Sequence, residues 1–414
     1  MKTAILIGAG ERGLNTYGAY ALKYKDKLKF VAVAEPDDYR RNYFKENHNI
    51  EDKYCVRDWK DLLKFPKIAD IAIIATLENL HKEPALAFLD LGYNILIEKP
   101  VAPTIEDSVQ IIKKAIEKDK YIMPAYVLRF SDFYKKIREI IDLHLLGEIV
   151  SVIQEEHIGY WHMAHSYVRG RWRKSKDVGP IILTKSCHDL DILQWILGKK
   201  CLQIYSTGSL KHFRKENCPN QASDNCLDCK LKNSCPYSAT KIYLNMENNG
   251  WPVNTITNDL SYEGRINALR TTNFGKCVYK LDNDVLDNQK VLMKFDDSID
   301  VIFTLDAFTH DKTRIIKITG SKGELFGNFA KNYIEINTFS NDKKEVIELN
   351  PKYKSSHQGS DFNLLDEFLE TLDSKKPVDY YNFIESHFMA FASEYSRINN
   401  TIVDYQRYKE EKIR

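Results

Sequence analysis

The chain lacks a long uninterrupted apolar run. Its longest, residues 68–77, is broken by Asp70. That falls far short of the ~20 residues a spanning helix needs, which argues against a helical membrane protein. It also lacks an excess of either charge. Sixty basic residues against 58 acidic ones leave a formal charge of +2, so there is no global field to draw in nucleic acid or an anionic membrane. No internal repeat and no low-complexity linker is present. The opening offers no room for a secretory signal, because the apolar residues 3–7 run straight into Gly8-Ala9-Gly10. The expectation is a cytoplasmic protein. In that reducing setting the eight cysteines read first as thiols or ligands, not as disulfides.

What is present fits a soluble globular protein. The 414 residues are 43% hydrophobic and 29% charged, enough for a sizeable core. About 150 residues per domain gives two to three domains. Short, continuous apolar strands at 3–7, 30–34, 71–75 and 94–97 alternate with helical patterns at 14–24, 81–90 and 105–117. Strands buried on both faces and separated by helices predict a doubly wound parallel sheet. After about residue 125 the pattern changes. Segments 149–154, 202–206, 291–295 and 301–304 alternate as strands do, without a helix between each pair. They predict a second domain, α+β in class, on an open and largely antiparallel or mixed sheet. Residues 360–397 return to helical spacing. The expected partition is 1–125 and 126–414, with a polar, cysteine-rich insertion at about 211–236 that has little apolar content of its own.

Gly8-Ala9-Gly10-Glu11-Arg12-Gly13 is a G-x-G-x-x-G set between the first strand and the first helix. The first glycine permits the tight turn, the second lets the backbone approach a pyrophosphate, and the third allows helix–strand contact. The helix N-terminus offers free N–H groups to the anion. Glu35 ends the second strand, 22 residues after Gly13, where a carboxylate would accept from the adenosine ribose hydroxyls and repel a 2′-phosphate. NAD is therefore favoured over NADP, although Arg40 and Arg41 keep NADP open. Glu35 could instead cap the following helix near Asp37.

A second mark is Glu98-Lys99-Pro100, at the end of a strand of the nucleotide domain, with Thr76 and His81 after the preceding strand. Gly179-Pro180 and then Cys187-His188-Asp189-Leu190-Asp191 follow in the second half. With the glycine turn, and with the late Glu394-Tyr395-Ser396-Arg397, the chain resembles the Gfo/Idh/MocA family of sugar and cyclitol oxidoreductases. The resemblance implies a Rossmann domain, an open-faced sheet domain that makes a homo-oligomer contact, and an active site between them. It places the family's lysine and histidine on Lys99 and His188. It also extends the cofactor site from Gly8, Gly10, Glu11, Arg12, Gly13 and Glu35 to Thr76, His81, Glu98 and Lys99. Where the family commonly has an aspartate four residues before the histidine, this chain has Thr184, with Lys185 beside it.

Oxidising a secondary alcohol sends a hydride to a nicotinamide and a proton to a base. His188 suits the base, and Lys99 suits a donor to the developing alkoxide; a buried lysine can itself be the base. Asp191, three residues after His188, could orient the imidazole or pair with a nearby cation. The segment 160–173 is dense in polar rings and guanidiniums. Tyr160, His162, His165, Arg169 and Arg171 are candidate substrate residues, with Arg129, Lys185 and Asp284. On an extended strand Arg169, Arg171 and Arg173 would share one face and suit an anionic group, or form a solvated basic face. Asp284 sits in a turn that could supply a sugar hydroxyl acceptor.

Cys218, Cys226, Cys229 and Cys235 form C-x7-C-x2-C-x5-C. Four thiolates at such spacing can enclose a structural zinc, and a metal would hold a segment that packing cannot. Free thiols, an iron–sulfur cluster or disulfides are the alternatives, and His212 is a possible substitute for Cys218. The other four cysteines read as small core residues. Three functions compete: an NAD-dependent dehydrogenase of a sugar, sugar acid or cyclitol; an NAD-dependent glycoside hydrolase working by transient oxidation, elimination, water addition and re-reduction; and a nucleotide sensor without turnover. The expected partner is a small carbohydrate-like molecule, with an anionic group an open option.

Overall fold

The computed structural model describes residues 1–340, 343–353, 357–374 and 379–413. Among these, six strands form one sheet: β1 (Lys2–Ile7), β2 (Leu28–Ala34), β3 (Cys55–Val56), β4 (Ile71–Ile74), β5 (Asn94–Ile97) and β6 (Ile122–Pro124). Their order is β3-β2-β1-β4-β5-β6, and every pair is parallel. The strand order reverses between β1 and β4, the switch point outside whose carboxyl ends such sheets bind ligands. Ile5, Leu6, Ile71, Ile74, Ile95 and Ile97 are fully buried, as continuous apolar strands under two helical layers must be.

The second sheet has nine strands among the described residues: β7 (Ile149–His157), β8 (Cys201–Ser209), β9 (Asn288–Phe295), β10 (Asp300–Asp306), β11 (Thr313–Gly320), β12 (Gly323–Asn328), β13 (Tyr333–Thr338), β14 (Lys343–Glu348) and β15 (Val403–Asp404). The order is β14-β13-β12-β11-β7-β10-β9-β8-β15, antiparallel except for the β10–β7 pair. Along β7, Val152, Gln154 and Glu156 point inward and are buried, while Ser151, Ile153 and Glu155 point outward. The fold is thus the doubly wound α/β unit plus an open, mostly antiparallel sheet.

The helical stretch expected at 360–397 is two helices, Ser360–Ser374 and Glu385–Asn399. The first returns to the nucleotide half. Its Asp366 accepts from Tyr20 and Lys27, each at 2.6 Å, and its Asp361 pairs with Arg12 at 2.6 Å. Between β8 and β9 lie residues 210–287. The sequence suggested little apolar content there, yet Cys226, Ala239, Tyr243, Ile256, Ala268 and Leu269 pack into a small core of their own. Tyr243, Ala268 and Leu269 come from helical turns beyond residue 236, where the sequence reading had stopped.

Candidate active site

The glycine turn follows β1. Gly8 has φ +93°, and a Cβ there would lie 2.8 Å from the Ala75 carbonyl oxygen after β4. A Cβ on Gly13 would meet the Gly8 carbonyl oxygen at 2.3 Å, whereas one on Gly10 would meet nothing within 4 Å. Two glycines are thus required by packing. The third leaves the open space through which a pyrophosphate could approach the backbone. The donor set fits a dinucleotide.

The other expected cofactor residues divide. Glu35 stands at the end of β2, where its carboxylate accepts from the amides of Ala9 at 2.7 Å and Asp37 at 3.0 Å. It both braces the glycine turn and caps the next segment, and a carboxylate has lone pairs to spare. Arg41 is spent on the backbone: its guanidinium donates to the Glu35 carbonyl at 2.7 Å and also pairs with Asp38. Glu11 is exposed and accepts from Asn15. The Thr76 hydroxyl donates to the Leu77 carbonyl at 3.3 Å.

Arg12 is tied inward, to Glu98 at 2.5 Å and to Asp361 at 2.6 Å, and Tyr17 donates to the same Glu98 oxygen at 2.7 Å. Burial pushes the Glu98 and Asp361 carboxyls up, but Arg12 outweighs it and both lie below the usual carboxylate range. Arg12 and Glu98 thus lock the turn to the end of β5 and to the helix Ser360–Ser374. His81 is not a cofactor contact here. It is fully buried, with Nδ1 3.0 Å from the Pro100 carbonyl oxygen and Nε2 3.2 Å from that of Thr76. Its ring ties the loop after β4 to the loop after β5.

Lys99 and His188, the two candidate catalytic residues, lie within electrostatic reach of each other. Lys99 leaves the end of β5 and its Nζ donates to the Thr184 carbonyl at 2.8 Å. Thr184 closes the turn just before the helix Cys187–Leu197, whose first turn carries His188. His188 is buried, and its Nδ1 has no partner among the described residues. Burial, then the charges of Lys99, Arg314, His357 and Lys185, push it well below its ordinary value, so the ring is neutral. The Tyr126 ring meets it edge-on at 6.1 Å. Tyr126 is held in turn by His387 Nδ1 at 2.7 Å, and the Val101 amide donates to His387 Nε2 at 2.9 Å. Asp191 takes the plainer of its two expected roles. It pairs with Arg129 through two contacts of 2.6 Å. Arg129 is therefore an internal ion pair and not the substrate arm the sequence suggested.

Beside His188 lies a charged cluster that the sequence reading named only in Lys185. Glu156 of β7 receives Lys185 at 2.8 Å and Arg314 of β11 at 2.7 Å. Arg314 also grips Asp189 at 2.8 Å. Burial lowers the Lys185 ammonium, and it lowers Lys312, which lies 4.8 Å over the Trp251 ring. Burial, then Lys185 and Lys312, hold His162 well below its ordinary value; its Nδ1 is buried without a partner among the described residues. Tyr167 is buried within electrostatic reach of Glu156, Glu78 and Cys187, and burial raises its phenol. Gln154 and Glu156, two polar residues following Val152 on the inward face of one strand, were the signal available in the sequence.

The segment 160–173 is not an extended strand. It forms the helical turns Tyr160–Met163, Ala164–Arg169 and Arg171–Arg173. Met163, Ala164, Tyr167 and Val168 are buried together, a helical spacing that prevails over the alternation of arginines. The three arginines therefore diverge. Arg169 is buried among cysteines, Arg171 stacks 4.3 Å over Trp172 near Glu78, and Arg173 pairs with Asp282 at 3.0 Å. Tyr160 lies against Tyr237, and His165 bonds Tyr243 at 2.8 Å with its ring stacked on Phe274. Burial pushes His165 down to about 4. Asp284 is exposed and caps the turn at Ser175 with a 2.7 Å bond.

The four expected zinc ligands do not converge. Among the described residues, no three His, Cys, Asp or Glu side chains stand close enough to hold one metal ion. The Cys218 thiol lies 3.8 Å from the Pro219 carbonyl oxygen and within electrostatic reach of Cys277, and the His212 ring bonds Tyr279 at 3.0 Å.

Comparison with known proteins agrees with this geometry. Residues 2–126 match the oxidoreductase family with an NAD-binding Rossmann fold, and residues 138–387 match that family's C-terminal alpha/beta domain. The Bacillus subtilis protein YteT, an oxidoreductase by name only, is 22% identical over 331 residues, covering 75% of this chain and 74% of that protein. The 2,7-anhydro-N-acetylneuraminate hydratase of Escherichia coli is 27% identical over 199 residues, covering 47% of this chain and 50% of that protein. A structure of levoglucosan dehydrogenase with NADH and levoglucosan superposes with a TM-score of 0.72 at 16% identity, covering 98% of this chain and 99% of the other. With both halves matched, the chain belongs to the Gfo/Idh/MocA family of oxidoreductases.

Proposed function

We propose that the protein transfers a hydride between NAD and a secondary alcohol of a sugar, sugar acid or cyclitol. The observation that carries this reading is that Lys99, from the nucleotide half, bonds the Thr184 carbonyl within electrostatic reach of the neutral His188 of the other half, whose Nδ1 has no partner among the described residues. NAD, held by the glycine turn and Glu35, would supply the hydride acceptor. His188 takes the proton from the alcohol oxygen, since its ring is uncharged and Nδ1 has no competing partner. Lys99 donates to the same oxygen and stabilises the alkoxide. The cations that keep His188 neutral act in the same direction. Glu35 and the engaged Arg41 support NAD over NADP.

Lys99, Lys185, Lys312 and Arg314 outnumber Glu156 and Asp189 around this space. An anionic substrate, such as a sugar acid, matches that surplus. The open face of the second sheet carries a register row of Tyr205, Leu292, Ile302 and Ile153, and the first three are exposed. That row supports a homo-oligomer through this face. Sedimentation at micromolar concentration should show a dimer or larger; a monomer refutes it.

A second reading is the NAD-dependent glycoside hydrolase that recycles its cofactor. Two observations favour it: the hydratase relative, and the extra titratable groups His162, Tyr167 and Lys185 beside His188. Incubation with NAD and a panel of sugars, sugar acids, cyclitols and aryl glycosides separates the two. Net NADH without aglycone release supports the dehydrogenase. Aglycone release at constant NADH supports the hydrolase.

A further inference from the structure

The insertion encloses a cavity of about 200 Å³ whose wall includes four thiols, those of Cys226, Cys229, Cys235 and Cys277. Cys226, Cys229 and Cys277 are buried, and none of the four forms a disulfide. Cys277 comes from far along the chain. It is held by its amide bond to the Asp224 carbonyl at 2.9 Å and by the bridge between Asn225 and Lys276. Cys235 is set by a turn, its amide bonding the Leu231 carbonyl at 2.8 Å.

The guanidinium of Arg169 forms part of the same wall. It is 2% exposed and bonds the carbonyls of Lys276 and Tyr237, each at 2.8 Å, with Cys226 Sγ at 3.5 Å. Its Nη1 is buried with no partner among the described residues. Its bonds go to neutral carbonyls and a thiol, not to a carboxylate. An uncompensated buried cation is costly. The ionisable groups on the cavity wall that can become anions are thiols and one phenol. Those thiols become thiolates when a metal binds them.

A single zinc draws four ligands to one point, and these thiols ring a space instead. Ligands of a polynuclear centre stand farther apart, because each thiolate binds a different metal atom. We propose that Cys226, Cys229, Cys235 and Cys277 hold an iron–sulfur cluster of the four-iron type, with Arg169 offsetting its charge and donating to its sulfur. Cys218 is not a ligand in this arrangement. Hydrogen bonds and burial of this kind are what tune and stabilise such clusters.

The test is metal and sulfide analysis of the full chain, purified without oxygen and reconstituted with ferrous iron and sulfide. The expected result is about four irons and four acid-labile sulfides per chain, with a broad visible absorption that dithionite bleaches. Cys277→Ser should lose that iron, and Cys218→Ser should keep it. One zinc per chain, or no metal with four thiols open to a thiol reagent, overturns the proposal. Iron retained in Cys277→Ser and lost in Cys218→Ser overturns the ligand assignment. The wild-type iron and sulfide content decides the matter even if Cys277→Ser fails to fold.

Discussion

Lys99→Ala should reduce kcat on the alcohol identified by the panel by ~10²–10⁴-fold, the usual reach of a group acting on the proton and the oxygen. Lys99 Nζ is positioned by the Thr184 carbonyl, and its charge is among those that hold His188 neutral. Removing it takes away the donor to the alkoxide and one of the cations. NAD affinity, read by fluorescence titration, should change little, because the glycine turn and Glu35 are braced separately. The pH profile separates the roles further. His188 is depressed below 6.5 by burial first and Lys99 second. In the wild type, therefore, the acid limb of kcat/KM should lie well below pH 6.5, and in Lys99→Ala what activity remains should show that limb moved upward. An unchanged profile with full activity would place Lys99 outside the chemistry.

Arg314→Ala should be the most destabilising single change near the site, by about 3–5 kcal/mol. Arg314 satisfies two carboxylates that are at most 1% exposed, Glu156 and Asp189. Truncation leaves both in low dielectric, with only Lys185 and Gln154 still bonded to them. The pH dependence of the variant follows from the sign of the change. Buried carboxyls without Arg314 have folded values raised above their unfolded values of about 4. The folded state then binds more protons, so the variant's stability falls as pH rises through that window and recovers toward pH 4. Thermal melts across pH should show it, and adding Glu156→Gln and Asp189→Asn should restore part of the loss. A variant as stable as the wild type at neutral pH would mean the cluster is more hydrated than its burial indicates.

The nucleotide half was legible in the sequence because its signals are local. Strands buried on both faces read as continuous apolar runs, and β5 was placed residue for residue at Asn94–Ile97. The short strands β3 and β6 were missed, since two or three residues carry no periodicity. In the second sheet, β11 to β15 were not anticipated; β14 has no buried face to give an alternation and β15 is only two residues long. Lys99 and His188 stood out as candidates through motifs. The internal partners of Arg129 and His81 were not legible, because a polar residue near a site and one bonded inside the fold look alike in sequence. Only the partners distinguish them, and Asp191 lies 62 residues from Arg129. The arginines of 160–173 went astray through a choice of period, extended where the chain is helical. Cys277 was passed over because its neighbours in the cavity are about 40 residues or more away in the chain.

The most direct measurement follows a deuterium placed on the reacting carbon of the alcohol that the panel identifies. The account predicts one deuterium in the nicotinamide for each oxidised molecule formed, and almost none with Lys99→Ala or His188→Ala. Oxidised product with the label lost to solvent and none in the nicotinamide would contradict hydride transfer at this site.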